Sequence, residues 1–186
     1  MSRTYTYPYT LDNGAGERLT LLRRVPGRNG DRLEGENVAA PGAGPPMHVH
    51  HLQEEGLTVV EGHLGYQRLG EPERFAGPGE TVVFEPGAAH RWWNAGDADL
   101  RCTGWVEPAD NFEYYLGNVF ASMQRTGAGR PDPFDAAFLT RRYRSEFALV
   151  DVPAPVQRFV FPLLVAMGHL LGRYRRYADA PEPLRR

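Results

Sequence analysis

MHVHHLQEE, residues 47–55, gathers three of the chain's six histidines and two glutamates into nine positions. In an extended strand alternate side chains share a face, so His48 and His50 point one way and Val49 the other. Two imidazoles side by side can share one ion, and imidazole suits Zn, Cu, Fe and Ni. Two surface histidines on one strand would leave the same HxH trace, so the pair alone does not decide. His51 follows His50 directly and so points to the opposite face, as a surface or hydrogen-bonding residue. Glu54 and Glu55 both stand close enough in the chain to reach back to the pair.

Outward from this stretch, as far as about residue 107, short β-branched and aromatic runs alternate with Gly, Pro and Asn. ERLTLLRRV, EGLTVVEGHLGYQRL, GETVVFEPG and DLRCTGWV are the runs, and VPGRNGD, APGAGPP, GEPERFAGPG and NAGDAD are the breaks. The close spacing leaves no room for crossover helices, which predicts a largely antiparallel barrel or sandwich. After VEPAD the period changes. Phe112, Tyr115, Leu116, Val119, Phe120 and Met123 recur at helical steps, with Asp110 placed to cap. A second helix is expected to open at Asp132-Pro133 and to carry Phe134, Ala137, Phe138 and Phe147. A third is expected from about Pro155 to Tyr177, with Pro162 accommodated near its start or kinking it. The expected organisation is a barrel over 1–109 and a helical extension over 110–186, packed on the barrel or at a dimer interface.

About 35 residues after the HxH pair, EPGAAHRWWN sets His90 just past a Pro-Gly turn at the head of another predicted strand. From there a third imidazole can approach. Together the two stretches resemble the cupin superfamily. The family's first motif is G, five residues, H, any, H, three or four residues, E, six residues, G; Gly42, His48, His50, Glu55 and Gly62 match it. Its second is G, five residues, P, any, G, two residues, H, three residues, N; Gly79, Gly87, His90 and Asn94 match it. Glu85 stands where that motif has Pro, with the proline displaced to Pro86, a change that bears on a turn and not on a ligand. The resemblance covers roughly residues 15–108.

This resemblance implies a mainly β fold, the double-stranded β-helix or jelly-roll barrel, followed here by three C-terminal α-helices. It implies one divalent transition metal per chain, Fe(II) ahead of Mn, Ni, Zn and Cu, held inside by His48, His50, Glu55 and His90. Glu55 rather than Glu54 keeps the motif's six residues before Gly62, which leaves Glu54 as a solvated loop residue. With His90 facing inward, Trp92 and Asn94 should do so too, and Arg91 and Trp93 should not. Trp92, Asn94, Tyr66 and Phe84 are therefore candidate pocket residues, with ordinary core packing the alternative for each. His63 and His169 lack partners at ligand spacing.

Four ligands on an ion that accepts six make an open site. The resemblance then implies a metal-dependent oxygenase, a dioxygenase-like oxidoreductase acting on a small oxygen-chelating compound, aromatic ones included. Two alternatives remain: a non-catalytic binding or sensory module, and an oxygen-independent isomerase or lyase using the metal as a Lewis acid. No separate acid or base stands out in the sequence.

Composition narrows the rest. All 21 basic residues are Arg, which excludes Schiff-base and P-loop lysine chemistry. A net charge of −2 gives no uniformly basic surface for nucleic acid, and the local excess of 11 Arg over 6 acids in 121–186 reads as a solvated face. Cys102 is the single cysteine and reads as a small buried residue, compatible with a reducing compartment. The N-terminal stretch lacks the order of a secretory signal, and the longest apolar run, residues 159–171, falls short of the ~20 residues of a membrane span. The expected setting is the cytoplasm, and the expected partners are a small molecule and a second copy of the chain.

Overall fold

The computed structural model describes residues 4–184. Among these described residues eleven strands pair antiparallel: β1 (Tyr9–Asp12), β2 (Glu17–Pro26), β3 (Asp31–Ala39), β4 (His48–His50), β5 (Glu54–Glu61), β6 (Leu64–Arg68), β7 (Arg74–Ala76), β8 (Thr81–Phe84), β9 (His90–Asn94), β10 (Leu100–Glu107) and β11 (Phe147–Leu149). One sheet runs β1-β2-β3-β10-β5-β8 and the other β11-β4-β9-β6-β7. Alternation of apolar and polar side chains sends Leu57, Val59 and Cys102 from the first sheet against Leu64, Ala76 and Trp92 from the second. This is the double-stranded β-helix. Burial pushes the Cys102 thiol up to about 11, so it packs as a small apolar group.

Beyond the barrel lie α1 (Phe112–Thr126), α2 (Pro133–Arg142) and α3 (Phe161–Leu170). Their aromatic faces build a second core in which Tyr114, Leu139, Tyr143, Phe147, Tyr174 and Tyr177 are buried. Asp132 caps α2 by accepting from the Phe134 N–H at 2.9 Å, with Pro133 in the first turn, as its sequence implies. Among the described residues no helix is long and apolar enough to cross a membrane.

Three local expectations need correction. Asp110 does not cap α1; Asn111 occupies that position, and its side-chain amide donates instead to Glu146 and to the Glu182 carbonyl. Phe147 is not helical. Helix α2 stops at Arg142, and Phe147-Ala148-Leu149 pairs with His50-Val49-His48, so the tail supplies the strand that covers the edge of β4. The third helix is broken into a π-helical turn (Val156–Val160), α3 and a 3₁₀ turn (Arg173–Tyr177). Pro162 has no N–H to give the preceding turn, and the chain widens there so that Phe161 donates to the Val156 carbonyl.

Candidate metal centre and its cavity

The barrel brings His48, His50, Glu55 and His90 to one place. His48 lies opposite His90 across the β4–β9 pairing, and His50 is two residues on, on the same face. Glu55 enters from the other sheet, on β5, between Val106 of β10 and Phe84 of β8. Glu54 lies on the same strand rather than in a loop, so it points outward, where it accepts from the Trp105 indole N–H at 3.4 Å. Strand alternation thus separates the two glutamates as the motif spacing does.

Nε2 of His48, His50 and His90 lies 3.9, 3.6 and 3.2 Å from Glu55 Oε2. One donor atom from each of the four residues falls within 4.8 Å of all the others. Donors about 2.1 Å from a shared ion are separated by roughly 3 to 4 Å, so the set fits one transition ion. The imidazole tautomers agree. Nδ1 of His48 lies 2.8 Å from the Pro46 carbonyl and Nδ1 of His90 2.8 Å from the Ala88 carbonyl. A carbonyl only accepts, so both Nδ1 atoms carry the proton and both Nε2 lone pairs face the cluster. Burial, aided by His48 and His90, pushes the His50 imidazole down to about 3 against the pull of Glu55, leaving it neutral, the form that binds metal. Burial alone would raise the Glu55 carboxyl, but whenever the surrounding imidazoles carry a second proton, their hydrogen bonds and charge hold it well below its usual range. Nε2 lone pairs turned toward a buried carboxylate oxygen are repelled by it unless a cation sits among them.

The Glu85-Pro86-Gly87-Ala88 turn aims His90 despite the displaced proline. Ala88 N donates to the Glu85 carbonyl at 3.1 Å, Gly87 N donates to the His50 carbonyl at 2.7 Å, and Gly87 takes φ 82°, a left-handed value that favours glycine. Phe84 stacks beneath His90, ring centroids 3.9 Å apart.

A cavity of about 850 Å³ opens onto the cluster. Its barrel wall includes Leu19, Leu21, Gly35 and Gly104, and its other wall is the apolar face of α1: Phe112, Tyr115, Leu116, Val119, Phe120 and Met123. The helical tail therefore forms part of the site, which the sequence reading placed in packing alone. Of the other pocket candidates, Trp92 lines the cavity. Asn94 ties strands together, donating to the Ala39 and Ala98 carbonyls, while Tyr66 packs edge-on against the buried Phe84 in the barrel core. His51 is exposed.

The cavity wall also holds a polar group that the sequence reading missed. Glu17 is buried on the cavity wall, Oε1 accepting from Asn37 Nδ2 at 2.9 Å and Oε2 from Asn13 Nδ2 at 3.3 Å. Burial pushes its carboxyl up to about 7; the Asn37 hydrogen bond and His48 oppose the rise, and Glu55 adds to it. The signal was available: Glu17, Leu19 and Leu21 share one strand face, so an acid sits at an inward position.

Residues 37–106 match the family model described as Cupin domain. The oxidoreductase iacF of Pestalotiopsis fici is 31% identical over 85 residues, which is 45% of this chain and 42% of that protein. A second fungal protein with oxidoreductase in its name, virH of Hypocrea virens, is 29% identical over 68 residues, 36% of this chain and 31% of its own. The matched stretch spans less than half of either relative. Among solved structures, KdgF from Halomonas sp. overlays with a TM-score of 0.48 at 18% identity, covering 59% of this chain and 99% of that one. A cupin-superfamily sugar phosphate isomerase from Silicibacter pomeroyi gives 0.43 at 22% identity, covering 56% and 68%. Residues 37–106, the stretch that carries all four donors of the cluster, therefore form a cupin domain.

Proposed function

We propose that the chain is a mononuclear metal-dependent oxygenase acting on a small oxygen-chelating compound, with His48, His50, Glu55 and His90 holding the ion. The observation that carries this reading is the convergence of three imidazole nitrogens on one carboxylate oxygen, on the wall of a cavity large enough for an organic compound. The oxidoreductase names of the fungal relatives support the reaction class.

A bound divalent transition ion would supply Lewis acidity and, if redox-active, a route for electrons to dioxygen. The carbonyls of Pro46 and Ala88 fix the His48 and His90 rings through Nδ1, so that the Nε2 lone pairs are aimed before anything binds. Glu55 contributes one negative charge, which leaves a divalent ion a net positive charge toward an anionic oxygen of the compound. The apolar residues of α1 receive the carbon skeleton and keep water from the reacting atoms.

The test is anaerobic purification, metal analysis and an oxygen-consumption screen over chelating hydroxyl and carbonyl compounds. About one ion per chain and oxygen uptake with at least one compound is the expected result. Protein loaded with Fe(II) or Mn(II) that never consumes oxygen overturns it. In that event turnover without oxygen identifies the isomerase or lyase alternative, and tight binding without turnover identifies a binding module.

A further inference from the structure

We propose that Glu17 is the base of this cavity, taking the proton from the hydroxyl of an enol or phenol that enters to meet the histidine–glutamate cluster. The inference rests on the metal reading above and names the chemistry of the compound more closely.

Glu17 differs from the other carboxyls that line the cavity. Glu55 belongs to the cluster, Glu73 pairs with Arg91 at 2.8 Å, and Asp151 accepts from the Met47 N–H at 3.1 Å. Glu17 is 7% exposed, and among the described residues no arginine lies within ion-pair distance of it. A buried carboxyl without a cation is costly, and the local fold does not require this one. The turn before β2 is closed by Asn13, whose Oδ1 accepts from the N–H groups of Ala15 and Glu17 and whose own N–H donates to the Glu17 carbonyl. The carboxyl adds only a long bond from the Asn13 side-chain amide, at 3.3 Å, to a turn that these three bonds already close. Its oxygens each accept one amide hydrogen bond, and a carboxylate has about four lone-pair sites, so acceptor capacity remains on the cavity side.

Two neutral amides hold Glu17 in place without neutralising it, as suits a group that changes charge. The titratable groups that act on it are Glu55, whose charge favours the protonated form, and His48, which opposes that form when its ring is protonated. A cation at the cluster would offset Glu55 and increase the carboxylate fraction at neutral pH. In the step itself the substrate O–H bond breaks, a new O–H bond forms on Glu17, and the substrate oxygen keeps the electron pair. Glu17 becomes neutral, the compound becomes an anion whose oxygen suits the cation site, and no oxidant is consumed.

The test uses protein loaded with Zn(II), which has no redox turnover, and catechol as the probe, whose hydroxyls, like the Tyr phenol, are un-ionised at about pH 8. Calorimetric titration in buffers of different ionisation enthalpy counts the protons released on binding. The expected result is about one proton fewer released per catechol by the wild type than by Glu17→Gln at about pH 8. Equal counts, or no binding of catechol by zinc-loaded wild type, overturn the proposal. A pH series on the wild type alone serves should the variant not fold: proton release should rise by about one as pH falls through a midpoint at or below about 7, and a flat profile also overturns it. Zinc content of the same samples separates the two readings. About one zinc per chain with equal counts removes Glu17 alone, whereas a wild type that retains no zinc removes the metal site on which it depends.

Discussion

Phe147 stands directly across the sheet from His50, ring centroids 5.5 Å apart and planes at 83°. Phe112 approaches the same imidazole, also at 5.5 Å. His50 Nδ1 is buried and has no hydrogen-bond partner among the described residues, whereas a carbonyl anchors Nδ1 in each of His48 and His90. Packing by two rings, one from α1 and one from β11, therefore does for His50 what a hydrogen bond does for the others. Phe147→Leu should weaken metal binding by about tenfold, the range found when a group orienting a ligand is lost. It should cost about 1–2 kcal/mol of stability, less than truncation to Ala. Chelator competition measures the first and urea denaturation the second. Unchanged affinity would show that β11 does not orient His50.

The outward course of Glu54 and the inward course of Glu55 predict opposite outcomes for two adjacent substitutions. Glu55→Ala, like His48→Ala and His90→Ala, should lose most of the metal, because a ligand is removed from a four-donor set. Glu54→Ala should retain metal within about twofold, since it removes only a long contact to Trp105. Elemental analysis of the four purified variants checks this, and equal loss from the two glutamate variants would refute the assignment.

Strand alternation made the barrel and its four donors legible, because a period of two fixes which side chains share a face before any tertiary contact is known. The same rule put Trp92 inward and, applied to β2, marks Glu17 as an inward acid. Phe147 was not legible. Phe134, Ala137 and Phe138 set a helical period, no Gly or Pro stops the chain between Phe138 and Phe147, and only the unpaired edge of β4 makes Phe147–Leu149 a strand. The cavity wall was hidden for a related reason: a helix face shows that it is apolar, not whether it meets a core or lines a space.

Asp135 links α1 to α2, and its titration gives the tail a pH dependence. Its Oδ2 accepts from Ser122 and Arg125, both at 2.7 Å, with Arg176 at 3.5 Å. Burial alone would raise the carboxyl, but these bonds hold it below its usual range. Because the folded value is depressed, its contribution is present above the unfolded value of about 3.9 and is lost as pH falls through the folded value. Asp135→Asn should therefore cost about 2 kcal/mol at neutral pH. The gap to the wild type should narrow below about pH 4. Urea midpoints at several pH values check this; a gap that stays constant into acid would mean that the charge of Asp135 contributes nothing.

Leu116 lies on the face of α1 that walls the cavity, within the space of about 850 Å³ that opens onto the metal cluster. Among the described residues that form the cluster, none comes from α1, so filling this wall leaves the ligands alone. Leu116→Trp should then keep the wild-type metal content while excluding bulky compounds, because a close-packed wall yields little to added volume. Catechol, which needs only the cluster end, should bind within about threefold of the wild type, and a catechol carrying a long alkyl substituent should lose about tenfold or more. Titration of both compounds into zinc-loaded protein reads the difference. Parallel loss of both would mean that the wall of α1 shapes the cluster itself, and equal retention would mean that bulky compounds lie elsewhere than against α1.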